Sequence, residues 1–507
     1  MKNTNMTKGI ILAIGFLLSL CYSSFSQQKI GIFDGRTDVG SPVKPGSATY
    51  IPQTQQYVVS GSGYNVWFDR DEFHYLWKRM KGDFILYTRA EFAGRNGVEE
   101  HSKVGWMVRK SLDENSAHIN AVEHGNGLTS LQFRRTTGAN TEEIRSKITH
   151  ANIIQLERKG KNYTMRVAKY GEPFVTVQVS DIDLGEDVYV GLFVNSHNAD
   201  VLETGVFRDV LITVPAHDTI KGMPLGSHLE ILEIATGNRE IIYTASNSIQ
   251  APNWTPDGKT LIYNTEGLIY TMGIAGRQPK VLNTGNVKNN NNDHVLSFDG
   301  EILGLSSGVN ELGGSIIYTV PITGGIPKQI TPKGPSYLHG WSPDGKNLVF
   351  CGSRNNEYDV YKVPATGGSE IRLTDAKGLD DGPEYTPNGK YIYFNSNRTG
   401  TMQIWRMKPD GSDQEAVTTG DFHDWFPHIS PDGKWIVFIS FLKEQVSPGD
   451  HPPYKNVYLR LMPITGGIPK VIAYVYGGQG TINTPSWSPD SKKIAFVSNS
   501  QMSTTNK

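Results

Sequence analysis

The chain has only two cysteines in 507 residues, Cys21 and Cys351, and cleavage after Ser26 would leave Cys351 alone, with no intramolecular disulfide to hold the mature protein together. It has no excess charge of either sign: 49 basic residues face 50 acidic ones, and no global field exists to gather a polyanion. That balance argues against nucleic acid as a partner. It also has no apolar run long enough to cross a bilayer, since Gly9 to Cys21 spans only about 13 residues where a helix needs about 20. With Lys2 and Lys8 before it and Ser24-Phe25-Ser26 after it, this run reads as a signal peptide over residues 1–26. The expectation is a periplasmic or extracellular protein that is not integral to the membrane. Cys21 offers a second reading as a lipoprotein anchor, which Leu20 disfavours because such sites take a small residue there. The motifs G-x-S-x-G and H-E-x-x-H, a phosphate loop and paired C-x-x-C are all missing, so no familiar nucleophile or metalloprotease site is present.

Glycine is plentiful (54 residues), and short apolar runs are bounded by Gly, Pro, Asn and Asp, which predicts an all-β protein. One short pattern recurs six times, as WTPDG at Trp254, SFDG at Ser297, WSPDG at Trp341, YTPNG at Tyr385, ISPDG at Ile429 and WSPDS at Trp487. Its Asp or Asn markers fall at 257, 299, 344, 388, 432 and 490, spaced 42, 45, 44, 44 and 58 apart. The longest gap holds an insertion from Glu444 to Lys455. Each turn leads into a strand such as Lys346 to Phe350, and a second strand pair follows. Units of this length, stacked radially as four-stranded sheets, make a β-propeller. The sixth unit stops after two strands, and the missing pair is found at Leu229 to Ile234 and Glu240 to Tyr243. The ends of residues 226–507 therefore close one ring of six blades.

The turn-and-strand unit resembles the propeller repeat of the TolB family over roughly Gly226 to Ser500. Residues 28–215 lack this period but show strands at short spacing, which predicts a β-sandwich. The segment from Gly105 to Arg135 resembles concanavalin-like jelly-roll modules. Residues 216–225, with Gly222 and Pro224, read as the linker.

In a propeller the first strand of each blade lines the channel. Five residues before the marker, four blades carry Pro and two carry His294 and His339. Around them come Asp293, Asp381, Glu384, His423, Asp424 and His428, with Tyr337 and Trp425 as aromatic faces. These are the ligand-binding candidates at the propeller mouth. The group can be polar channel lining, a ligand site, or an acid/base set, and His294, His339 and His428 are the candidates should a divalent metal bind. In the sandwich, His118, Asn120, Gln132 and Arg134 share one face by alternation and are the candidates for a glycan. No catalytic residue is assigned and no cofactor is required. The reading is an exported, non-catalytic recognition protein, monomeric, for a glycan or an envelope protein. Its rivals are a polysaccharide-degrading lyase or glycosidase and a structural component of a Tol-like envelope complex.

Overall fold

A computed structural model describes residues 29–94, 97–216 and 224–502. The expected signal peptide with Cys21, and most of the expected linker, lie outside the described residues. Among the described residues no helix is long and apolar enough to cross a membrane.

The C-terminal part is a six-bladed β-propeller. Five four-stranded antiparallel sheets follow one another in chain order, each with its strands in sequence. We number these blades I to V by their inner strands: Gln250–Trp254, Asn290–Leu296, Ser336–Trp341, Asp380–Tyr385 and Phe422–Ile429. Blade VI joins the two ends of the domain. Lys493–Ser500 pairs antiparallel with Gly226–Glu233, Leu229 opposite Val497, and Arg239–Ala245 completes the sheet. Its innermost strand is reduced to one bridge between Trp487 and Ile494.

The repeated turn has one physical cause. In each copy the hydroxyl two residues before the marker donates to the marker side chain, at 2.6 Å in Thr255–Asp257, Ser297–Asp299, Ser342–Asp344, Ser430–Asp432 and Ser488–Asp490. The same marker oxygen accepts from the N–H two residues later, for example Lys259 at 3.0 Å and Lys346 at 3.1 Å. That bond forces the intervening residue into the left-handed region, where Gly258, Gly300, Gly345, Gly389 and Gly433 have φ between 68° and 77°. The sixth copy has Ser491 there at φ 60°, and its hydroxyl accepts the Asp432 N–H at 3.0 Å, latching the last turn to its neighbour. The motif tryptophans wedge between blades. Trp341 donates to the Val295 carbonyl of blade II at 2.9 Å, and Trp487 to the His428 carbonyl of blade V at 3.0 Å.

The N-terminal part consists of two seven-stranded sheets, antiparallel throughout. The first includes Phe73–Lys81, Lys103–Arg109, His118–His124, Thr129–Arg134 and Asp187–Asn195. The second includes Gln56–Gly63, Phe84–Phe92, Ile153–Lys159 and Asn162–Ala168. Alternate residues of both, such as Trp106, Val108 and Ile119 from one and Leu86, Leu156 and Met165 from the other, fill a single core.

The second sheet also docks on blade V. Tyr87, Ile153 and Ala168 form a buried cluster with Tyr458, Val471 and Tyr474. Hydrogen bonds reinforce it: the Val471 N–H donates to the Gly171 carbonyl at 3.0 Å, and the Tyr474 side-chain hydroxyl to the Glu172 carbonyl at 2.5 Å.

Two outcomes are expected from these contacts. Trp341→Ala should destabilise the propeller by about 3–5 kcal/mol in denaturant unfolding, with Trp341→Phe costing clearly less; equal losses would contradict the wedge. The hydroxyl and then the backbone N–H in each turn hold Asp257, Asp299 and Asp344 below the usual carboxylate range. A depressed acid contributes stability above its unfolded value near about pH 4 and loses it as pH falls through the folded value. The Asp344→Asn variant should therefore lose less of its melting temperature than the wild type between about pH 5 and about pH 2.

Candidate functional site at the propeller mouth

The inner strands begin at one end of the channel and finish in the Trp-Ser-Pro-Asp-Gly turns at the other. At the first end lies a cavity of about 500 Å³ lined by Asn291, Asn292, Asp293, Tyr337, His339, Cys351, Tyr358, Asp381, Phe426, His451, Gln479 and Asn483. Blades II, III and IV deliver its charged groups, and the insertion after Leu442 in blade V delivers His451.

His339 Nε2 lies 3.1 Å from Asp381 Oδ1, and both are buried. Burial alone would push the His339 pKa down, but the charges of Asp381 and Asp293 outweigh it and raise it. Burial likewise opposes Asp381 ionisation, and His339 and the Gly382 N–H, at 2.7 Å, overcome it and hold the carboxyl low. Both shifts favour the charged forms, imidazolium against carboxylate. Asp293 has the opposite fate: burial, with Asp381 adding to it, drives its pKa up to about 7 against the pull of His339. The mouth therefore contains one fixed carboxylate, one imidazolium and one carboxyl poised to change charge near neutrality. Tyr337 is pushed up to about 12, chiefly by burial, and stays a neutral hydroxyl.

The aromatic wall explains how the insertion is held. His451 packs edge-on against Trp425 at 4.3 Å and against Phe426 at 5.2 Å. Phe426 in turn stacks on His339 at 5.7 Å. Trp425 is fully buried in this stack and offers no face to a ligand. His451 was not a candidate from the sequence. The only signal for it was the 58-residue marker spacing, which marks an insertion without showing where it folds.

Of the sequence candidates, Asp293, His339, Asp381 and Tyr337 meet at this cavity, and the others do not. His294 is fully buried, neither ring nitrogen has a partner, and burial lowers its pKa to about 3. It is absent from the cavity wall although it shares a repeat position with His339: His294 is paired in the ladder with Leu305, whereas His339 is the residue skipped by the register shift between Leu338 and Gly340. Glu384 and His428 tie blades together. Glu384 accepts from His428 Nδ1 at 2.6 Å and from the Ile429 N–H at 2.9 Å, while His428 Nε2 bonds the Ile482 carbonyl. Glu384 in fact lines the cleft at the opposite end of the channel, among Trp254, Trp341 and Trp487. His423 accepts the Met402 N–H at 3.3 Å, and Asp424 is held by Ser440 at 2.7 Å and Arg460 at 3.2 Å. Each of these side chains satisfies a neighbouring strand, so the wider ring of His and carboxylate at one mouth contracts to three groups and His451.

His294, His339 and His428 do not converge as metal ligands. Among the described residues, only Glu99, Glu100 and His101, on the sandwich, bring three such ligand atoms within 4.8 Å of one another.

In the sandwich, alternation does put His118, Asn120, Gln132 and Arg134 on one face. Two of them are consumed there: Arg134 bonds Asp71 at 2.8 Å beside Arg109, and His118 Nδ1 is 3.5 Å from the same carboxylate, all fully buried. They close that face internally rather than presenting it.

Residues 339–450 match the family model described as the TolB beta propeller domain. An uncharacterised protein of Agrobacterium fabrum is 44% identical over 277 residues, 54% of this chain and 93% of that protein. The solved structure of a TolB candidate from Agrobacterium tumefaciens, also 44% identical, covers 55% of this chain and 99% of its own with a TM-score of 0.53. The crystal structure of TolB from Acinetobacter baumannii is 16% identical, covers 64% of this chain and 79% of its own, and has a TM-score of 0.40. The first two matches span nearly the whole of each relative and about half of this chain, a length comparable to the propeller. With its six closed blades and repeated Asp turns, the chain belongs to the family of TolB-like β-propeller proteins.

Proposed function

We propose that this is an exported, non-catalytic recognition protein whose propeller mouth receives a polar segment of an envelope protein. The observation that carries the reading is the cavity itself. Beside the His339–Asp381 pair and Asp293, four carboxamides, Asn291, Asn292, Gln479 and Asn483, line it. Carboxamides offer donor and acceptor together and suit a peptide backbone, while the carboxylates suit a basic side chain. Export is supported by the basic start, short apolar run and small-x-small pattern of residues 1–26. The two facing N-terminal sheets and their shared core support the concanavalin-like jelly-roll assignment for residues 28–215. The second reading, a polysaccharide-cleaving enzyme, draws on Asp293, which sits near pH 7 beside an imidazolium as a general acid or base would.

One experiment separates the two. Mature protein is immobilised and exposed to envelope extract, and in parallel incubated with acidic and neutral polysaccharides. Recognition predicts a protein ligand retained by the wild type and reduced about tenfold or more by Asp381→Asn, with no new sugar ends formed. It also predicts that retention changes between about pH 6 and about pH 8, as Asp293 loses its proton, and that Asp293→Asn flattens this dependence. New sugar ends that disappear in His339→Ala would establish the enzyme instead, and retention indifferent to both substitutions would remove the mouth from either role.

A further inference from the structure

The outer face of the first N-terminal sheet carries a second polar site, distinct from the propeller. Register arranges its side chains in rows: Lys103 lies opposite His124, Met107 beside Asn120 and Gln132, and Arg109 beside His118 and Arg134. The last row is sealed by Asp71. The opposite end opens into a cleft of about 220 Å³ whose wall includes Trp67, Lys103, His124, Gln132, Glu143 and Arg145.

Three buried groups on this wall have unfilled bonding capacity. The Gln132 amide nitrogen donates to His124 Nε2 at 3.2 Å and to Glu143 Oε1 at 3.0 Å, leaving the Gln132 carbonyl oxygen without a partner. Accepting at Nε2 places the proton of the neutral His124 ring on Nδ1, which is also buried and unpartnered. Burial, then the charge of Lys103, keeps that ring neutral. Lys103 is 2% exposed, and its ammonium donates only to Asn65 Oδ1 at 2.9 Å and the His101 carbonyl at 3.1 Å. No carboxylate lies within ion-pairing distance of it among the described residues; Glu99, Glu143 and Asp71 act on it only from further away, burial outweighs them and lowers its pKa to about 8, and Glu143 is already held by Arg145 at 2.7 Å. A buried ammonium with no carboxylate in direct contact is costly, and an incoming anion bonded to it would relieve that cost.

We propose that this cleft binds a sugar unit bearing an anionic substituent. The carboxylate or sulfate meets Lys103, ring hydroxyls meet His124 Nδ1 and the Gln132 carbonyl, and the sugar face lies against the half-buried Trp67. The assignment is independent of the propeller mouth. Two of its residues, Lys103 and His124, were not among the glycan candidates from the sequence, and two that were, His118 and Arg134, are excluded by the Asp71 network.

The test is calorimetric titration of the mature full-length protein with oligogalacturonate, a sulfated galactan oligosaccharide and a neutral galacto-oligosaccharide. One of the anionic sugars should bind, the neutral one at least about tenfold more weakly, and Lys103→Gln should abolish the difference. Which anionic probe binds tells carboxylate from sulfate. If Lys103→Gln does not fold, Trp67→Ala takes its place, with a loss of about tenfold or more expected. His339→Ala should leave the affinity unchanged. Binding of neither anionic probe, equal binding of the neutral one, or loss on His339→Ala but on neither cleft substitution would overturn the assignment and leave the mouth reading standing.

Discussion

The structure depends on one pairing, that of Gly226–Glu233 with Lys493–Ser500. Without it blades I and V would each expose a face, and no channel would exist. Because the first and last strands of the domain share a sheet, the ring is closed by backbone hydrogen bonds and by the apolar contact of Leu229 with Val497 and Ala495. The repeated Asp turns then fix the pitch of each inner strand, and the tryptophans fill the gaps between blades. The mouth is a by-product of that closure. Its charged groups come from three blades, and Phe426, the insertion and the segment carrying Gln479 and Asn483 complete its wall, so no one blade could form the cavity alone.

Burial makes the mouth chemically distinctive. Three ionisable groups in water would titrate independently near their ordinary values. Here desolvation penalises each charge, so only the His339–Asp381 pair remains ionised, and Asp293 keeps its proton up to about pH 7. The sandwich obeys the same rule with a different outcome. Asp71 is ringed by Arg109, Arg134 and His118 and is internally satisfied, whereas Lys103 a few residues away has found only neutral partners.

Much of this was legible in the sequence for a simple reason. The turn motif is local, so six Ser/Thr-Pro-Asp-Gly-like copies at near-constant spacing state blade number and ring closure without any long-range information. Alternation likewise put His118, Asn120, Gln132 and Arg134 on a common face. The site was less legible because it depends on direction and on what lies opposite. Equivalent repeat positions do not guarantee equivalent surroundings: His294 and His339 share a slot, yet only one reaches the cavity. Glu384 and His428 have the composition of a site and turn out to bridge blades through the Ile429 N–H and the Ile482 carbonyl. The return of the insertion to place His451 on Trp425 and Phe426 leaves no periodic trace at all.

A nuclear magnetic resonance titration of the folded, mature protein, following the His339 imidazole and the Asp293 carboxyl, probes the mouth directly. His339 should remain protonated above the ordinary histidine range while Asp293 titrates at about pH 7, the two shifting together because they share the cavity. Ordinary values for both groups, titrating independently, would show an open and solvated mouth and would contradict that expectation.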